Sequence, residues 1–369
     1  MSITGNEGIS RRELLGGMGL AGLGVGLAAC GGSSSSSAGA NAKSGGTKHV
    51  TLVLDVTPYG KHSPFYVAKK KGMWSKRGLK VSIQSGKGSA DAFNKVASGA
   101  GDFAFADIST VILGQANKNV SSKMVCMYHY KNLMAEIGLA SAGIEKPQDF
   151  VGKKLQTTPG NGALLLLPAL GDINHFDAKK VKTPFGEFSS IVPNVMGGNI
   201  DGALTYLTTY PALEAAAKKA GGKKTSYVLY ADYGLDIYNN GIIVTDKYLK
   251  ESPDQVKAFT AGFVEAVLYT VAHPDEAVKI FDQSVPGISA DVVKAQQQVA
   301  INHLHVPEVK QHGFGPMSAD KMTKTLKVID KYFKLNKKVT DIKSIYTNDY
   351  VPKGKVPQFQ YKKSKEPSV

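Results

Sequence analysis

From residue 48 onward the sequence predicts an α/β fold carried on mostly parallel sheet. Three observations lead there. Short apolar, β-branched runs alternate with stretches of helical period, as strands and crossover helices do. The alternation comes in two successive sets, and a chain of 369 residues is long enough for two lobes. No internal apolar run reaches the ~18–20 residues needed to span a bilayer, so the body is expected to be soluble.

The first set opens with HVTLVLDV at residues 49–56, an apolar strand. A helix over 65–76 follows, with Phe65, Val67, Ala68 and Trp74 able to share one side. A strand over 79–85, a helix over 90–98 and a short strand over 103–106 complete it. The second set has a strand over 153–157, a helix from Ala163, and apolar stretches at 190–193, 203–205 and 228–230. Two further apolar stretches of strand character, at 136–140 and 241–245, join the sets. Beyond Asp246 the pattern is mostly helical, and Ser252-Pro253 and His273-Pro274 each read as a helix start.

The first fifty residues read as an address. Ser10-Arg11-Arg12-Glu13-Leu14-Leu15 precedes an apolar run ending at Ala29, the order of a signal peptide. The paired arginines resemble a twin-arginine export signal. Six glycines between Leu14 and Ala29 make the run too weakly apolar for a membrane helix. Leu27-Ala28-Ala29-Cys30 then resembles a bacterial lipobox, in which Cys30 is lipidated and becomes the first mature residue. The Gly/Ser/Ala-rich stretch that follows reads as a flexible tether.

Charge and cysteine usage exclude several classes. The formal charge is +15, yet only Arg11, Arg12 and Arg77 are arginines. Arginine forks are the usual readers of bases and phosphates, so a lysine-only surplus argues against nucleic acid. It suits a solvated surface or proximity to anionic lipid. With Cys30 assigned to lipid, Cys126 is left alone among Met124, Val125 and Met127, where an inert core thiol is expected. There is no phosphate loop, nucleophile elbow or dinucleotide fingerprint. His303-Leu304-His305 offers two imidazoles at strand spacing, without a supporting carboxylate–cysteine cluster. Neither a metal nor a cofactor is expected.

Ligands of open α/β sheets bind beyond the carboxyl ends of the strands. That rule selects the loops 55–64, 86–91 and 107–110. They contribute Asp55, Pro58, Tyr59, His62, Tyr66, Gly88, Ser89 and Asp107 as candidate binding residues. His62 suits a hydrogen bond or stacking on a ring, though a helix-entry role is equally open. Tyr66 and Phe65 fit the core as well as a pocket. Ser89 is expected to cap the helix after it, and Asp107 either caps a helix or accepts from an amine. Asn161, within Gly160-Asn161-Gly162, supplies the equivalent helix start in the second set, joined there by Tyr206, Asp236, Tyr238 and Asn239.

Read together, several segments resemble the substrate-binding proteins of ABC importers for thiamine pyrimidine precursors, riboflavin, taurine, sulfonates and nitrate. They are DVTPYGKHSPFYVA at 55–68, KGMW at 71–74, GKGS at 86–89, GDFAFAD at 101–107, PQDFVGKK at 147–154, NIDGA at 199–203 and YNNG at 238–241. The resemblance implies a two-lobe periplasmic-binding-protein fold of type II. Each lobe is then a mostly parallel sheet flanked by helices, and the stretches 136–140 and 241–245 cross between lobes. The implied organisation is a signal peptide over 1–29 with its lipobox at 27–30, and a tether over 30–47. The first lobe then covers 48–136 and 244–350, the second 137–243, and a tail 351–369. It further implies a lipid-anchored, extracytoplasmic, monomeric protein whose partners are a small molecule, a permease and its ATPase. Pyrimidine binders of the family often carry tryptophan and asparagine where this chain has Val56 and Tyr59. The cysteine-rich stretch of an enzymatic branch is lacking, so binding without chemistry is expected. Scarce arginine and 16 tyrosines favour a neutral or aromatic heterocycle over a sulfonate or nitrate. A lipid-anchored enzyme acting on a related small molecule is the rival from another class.

Overall fold

The computed structural model describes residues 46–358. The expected signal segment, Cys30, nearly all of the tether and the last part of the tail lie outside the described residues.

Among the described residues nine strands form two sheets. β1 (Lys48–Val53), β2 (Leu79–Gln84), β3 (Phe103–Asp107), β4 (Ser122–Met127) and β9 (Asn240–Thr245) make a five-stranded sheet in the order β2-β1-β3-β9-β4. β5 (Met134–Leu139), β6 (Leu155–Gln156), β7 (Gly202–Tyr206) and β8 (Thr225–Leu229) make a four-stranded one, ordered β6-β7-β5-β8. β1 runs parallel to β2 and β3, and β6 parallel to β7. One strand in each sheet runs against its neighbours: β9 against β3 and β4, and β5 against β7 and β8. In each sheet all strands but one therefore run the same way, as the alternation of strands and helices predicts, while the inserted β9 and β5 make four of the seven strand pairings antiparallel.

The helices in chain order are α1 (Ser63–Lys70), α2 (Ser89–Ala97), α3 (Ile108–Lys118), α4 (Gly162–Ile173), α5 (Ile191–Met196), α6 (Tyr210–Lys219), α7 (Asp246–Glu251), α8 (Pro253–Ala272), α9 (Pro274–Ser284), α10 (Ala290–Asn302), α11 (Pro307–His312) and α12 (Ala319–Tyr332). No helix among the described residues is long and apolar enough to cross a membrane.

Alternation along β3 shows how sequence sets the layers. Phe103 and Phe105 point to one face, Ala104 and Ala106 to the other. Phe103 stacks on Phe259 of α8 with centroids 3.8 Å apart, and Phe105 meets Phe65 of α1 at 5.1 Å. Trp74 stacks on the same Phe259 at 5.0 Å. Burying aromatic rings of this size anchors the helical layer, since each removes ~150–250 Å² from water. Cys126 is fully buried in this core, where burial pushes its thiol well above the ordinary range.

Three sequence expectations change. The stretch at 190–193 belongs to the short helix α5, entered through a 3₁₀ turn over Phe188–Ser190. His303 and His305 sit at the end of α10 and just beyond it, not on a strand, and His303 Nδ1 lies 2.7 Å from the Val299 carbonyl. Finally, β5 and β9 each lie wholly inside one sheet. The chain passes between sheets at residues 128–133 and 230–239, immediately before those strands.

Candidate functional site

The carboxyl ends of β1, β3 and β7 meet in one buried polar cluster. After β1 the backbone turns through a 3₁₀ segment, Gly60–His62, directly into α1. The turn folds back because His62 Nδ1 accepts the Tyr59 N–H at 3.2 Å while His62 N donates to the Tyr59 carbonyl at 2.8 Å. With Nδ1 accepting, the ring proton is on Nε2, which donates to Asp55 Oδ1 at 2.8 Å.

Asp55 is the hub. Its Oδ1 also accepts from Val56 N at 3.0 Å, and its Oδ2 accepts from Lys61 Nζ at 2.6 Å and Asn240 Nδ2 at 2.8 Å. Burial alone raises a carboxyl pKa. Here the Lys61 charge and the bonds from His62 and Lys61 outweigh it and hold Asp55 well below the usual carboxylate range. His62 is lowered to about 4, first by burial and against the pull of Asp55, so its imidazole is neutral at pH 7. Burial also lowers Lys61, opposed by Asp55. The Lys61 ammonium lies 3.8 Å from the centroid of the Tyr206 ring, with Tyr59 and Phe105 at 5.2 and 5.5 Å.

These contacts reach across the two sheets. The Tyr59 hydroxyl is 2.7 Å from Thr208 Oγ1, and the Tyr59 ring packs on Phe188 at 5.1 Å. Ser89 Oγ is 3.2 Å from the Tyr206 hydroxyl and accepts from Asp107 N at 3.2 Å. Asp55, Lys61, His62, Ser89 and Tyr206 are all 0 % exposed, so the cleft between the sheets is closed.

Asp107 serves as the N-cap of α3, accepting from the N–H and hydroxyl of Ser109, and its Oδ2 accepts from Asn239 Nδ2 at 2.7 Å. Burial raises it to about 6. Asn161 caps α4 through its bond from Ala163 N at 2.8 Å. Ser89 does not cap α2: the cap position is Gly88, whose φ of 137° suits glycine, and the Ser89 hydroxyl is freed for Tyr206. The starts of α2 and α4 lie against each other, because a Cβ on Gly88 would come within 2.6 Å of the Pro159 carbonyl.

The structure thus brings Asp55, Tyr59, His62, Ser89, Asp107, Tyr206 and Asn239 together, with Gly88 and Asn161 at the meeting helix starts. It sets four expected residues apart. Tyr66 packs edge-to-face on Phe281 at 5.1 Å, on the α9 side of its helix, because Phe65 takes the inward position. Asp236 pairs with Lys321 at 3.0 Å with its side chain 47 % exposed. The Tyr238 hydroxyl is taken by Glu308 and Ser318. Pro58 is half-buried and shapes the turn without a polar contact of its own.

Lys61, Thr208, Asn240, Tyr128, His129 and Asn132 were not singled out by sequence reasoning. Lys61 was visible between Tyr59 and His62, but lysine reads as a solvent-facing residue. Tyr128-His129 follows the apolar run at 124–127, so recognising that run as β4 and applying the same strand-end rule selects them.

The family model described as NMT1/THI5 like matches residues 60–277. A riboflavin-binding protein of Chloroflexus aurantiacus is 23% identical over 316 residues, covering 83% of this chain and 87% of that protein. A 4-amino-5-hydroxymethyl-2-methylpyrimidine phosphate synthase of Legionella pneumophila is 24% identical over 317 residues, covering 84% and 95%. Among solved structures, the alkanesulfonate-binding protein of Xanthomonas axonopodis pv. citri, bound to MOPS, superposes with a TM-score of 0.65 at 13% identity, covering 81% and 98%. At that identity the likeness carries the fold alone, which is that of the type II periplasmic binding proteins.

Proposed function

The chain belongs to the NMT1/THI5-like family, and from that premise we propose that it is the solute-binding lipoprotein of an ABC importer, taking up a neutral or aromatic heterocycle. The observation that carries this reading is the buried cluster of Tyr59, Lys61, His62 and Tyr206 across the closed cleft, joined to Asp55 and Ser89. Aromatic faces supply contact area to a flat ring at low entropy cost, and the polar atoms between them supply direction. Binding holds the two lobes together, opening is hinge motion at the passages 128–133 and 230–239, and a permease with its ATPase receives the closed form. Lipid on Cys30 keeps the monomer at the outer face of the membrane.

A second reading, an anionic ligand such as a sulfonate, draws support from Lys61, the one buried ammonium of the cluster, and from the alkanesulfonate-binding neighbour. An enzymatic reading draws on the synthase relative. The neutral His62 and saturated Asp55 speak against proton transfer, since both His62 nitrogens and all four acceptor positions of Asp55 are already used within the protein.

Thermal unfolding of the full chain against pyrimidines, flavins, sulfonates and nitrate tests the proposal. A ligand bound only by the folded state adds ~2.7 kcal/mol at a hundredfold excess over Kd. A shift with a heterocycle, without turnover on prolonged incubation, is the expected result. A shift with sulfonates alone, or any catalytic product, overturns it.

A further inference from the structure

Two acceptor atoms in the cluster are buried without a donor, and hydrogen-bond bookkeeping fixes the identity of both. Asn240 Nδ2 donates to Asp55 Oδ2, which orients the amide and leaves its Oδ1 unpartnered. Asn239 Nδ2 donates to Asp107 Oδ2 at 2.7 Å and to Asn132 Oδ1 at 3.3 Å. Asn239 Oδ1 is therefore the acceptor that faces His129 Nδ1 at 3.4 Å. Nδ1 then carries the ring proton, and Nε2 presents a lone pair with no partner.

The two residues are held side by side, because the N–H groups of Tyr128 and His129 both donate to the Asn240 carbonyl, at 3.1 and 2.9 Å. The His129 ring is stacked on Tyr128 with centroids 4.8 Å apart and meets Phe105 edge-on at 5.8 Å, the same Phe105 that touches His62. His129 is 1 % exposed. Burial lowers its pKa well below the ordinary value, with Lys61 and His303 acting in the same sense and Asp55 and the bond to Asn239 opposing. The imidazole is neutral, and the chain Asp107–Asn239–His129 fixes its tautomer.

Resting on the heterocycle reading above, we propose that His129 Nε2 and Asn240 Oδ1 set the polarity of the ligand. Both accept, so the ligand must donate N–H or O–H, as an amino-substituted ring or a ring N–H does. An all-acceptor anion such as a sulfonate or nitrate leaves both atoms unmatched. A site built to accept from a substrate donor discriminates strongly against the analogue that lacks it.

The test is isothermal titration of the full chain at pH 7.5 with 4-amino-2-methylpyrimidine, 2,4-dimethylpyrimidine, methanesulfonate and nitrate. The two pyrimidines differ in one donor-bearing group at nearly constant shape. The amino compound is expected to bind at least ~10-fold tighter than the dimethyl compound. His129→Leu should abolish that preference, and His129→Gln, whose amide oxygen accepts, should restore part of it. Near-UV circular dichroism and the unfolding midpoint report whether each variant is folded, and His129→Gln keeps the test open if His129→Leu is not. Equal binding of the two pyrimidines, or an undiminished preference in His129→Leu, overturns the donor assignment and leaves the heterocycle reading standing. Binding of methanesulfonate or nitrate with neither pyrimidine bound overturns both.

Discussion

Lys61 and Asp55 are a buried ion pair, and such pairs are asymmetric when broken. Asp55→Asn strands the Lys61 ammonium in a buried, ring-lined site, at a cost of about 3–5 kcal/mol. Lys61→Met leaves Asp55 with His62, Asn240 and the Val56 N–H, and the loss should be smaller. Urea unfolding of the two variants checks the order. Titration gives a second prediction, whose sign follows from proton counts. His62 titrates at 6.5 unfolded and at about 4 folded. Between those values the unfolded chain holds more protons, so His62 makes stability rise with pH. Asp107 titrates at 3.8 unfolded and at about 6 folded. The folded chain there holds more protons, so Asp107 makes stability fall over nearly the same window. Each shift corresponds to about 3 kcal/mol. Compared with the wild type, Asp107→Asn should gain about that much between pH 4 and 6, and His62→Gln should lose about as much. Denaturant midpoints at a series of pH values measure both differences.

At the level of elements, the site depends on close backbone approach. Gly88 begins α2 with a left-handed φ of 137° and faces the Pro159 carbonyl across the cleft. Gly88→Ala combines backbone strain with a contact of 2.6 Å to a carbonyl that cannot swing aside. The sheets should then fail to close fully at this point, with ligand affinity falling at least ~10-fold, the equivalent of about 1.4 kcal/mol. Calorimetry with the ligand found by thermal shift measures the affinity. An increased radius of gyration in solution scattering of the liganded variant reports the opening. Gly60 makes a comparable approach to α10, where its N–H donates to Gln296 Oε1 at 2.9 Å and a Cβ would collide with the Val293 carbonyl. α10 also packs on α6 and on the turn after β7. It therefore touches the site from both sheets.

For the whole molecule, closure is held by few polar contacts: Tyr59 to Thr208, Ser89 to Tyr206, and Lys61 over the Tyr206 ring. Tyr206→Phe removes one bond and keeps the ring. Tyr206→Ala removes both and takes the ring face from Lys61, which keeps only Asp55 as a close partner. Ligand affinity should fall modestly in the first and by far more in the second, with calorimetry reading the ratio. The proposed lipid anchor belongs to this scale too. Cys30→Ser should abolish lipid attachment, and mass spectrometry of the exported protein measures it.

All strands but β4, the starts of α1–α4, α8 and α9, and the strand-end loops of the candidate site were legible in the sequence, because periodicity and capping are local. The alternation Phe103-Ala104-Phe105-Ala106 is enough to show a strand with one large and one small face. By itself the sequence therefore determined the α/β class, the two successive strand–helix sets and the loops 55–64, 86–91 and 107–110; the antiparallel insertion of β9 and β5 came only from the tertiary structure. Tertiary structure alone decided which polar side chains point inward. Lys61 is a solvent-type residue until Asp55 and the Tyr206 ring, 145 residues away along the chain, replace its water. Tyr238 and Asp236 look like site residues until Glu308 and Lys321 take them up. Pairings so distant in sequence leave no periodic signature, because they arise only when separately formed layers pack against each other and each buried polar group must find its partner.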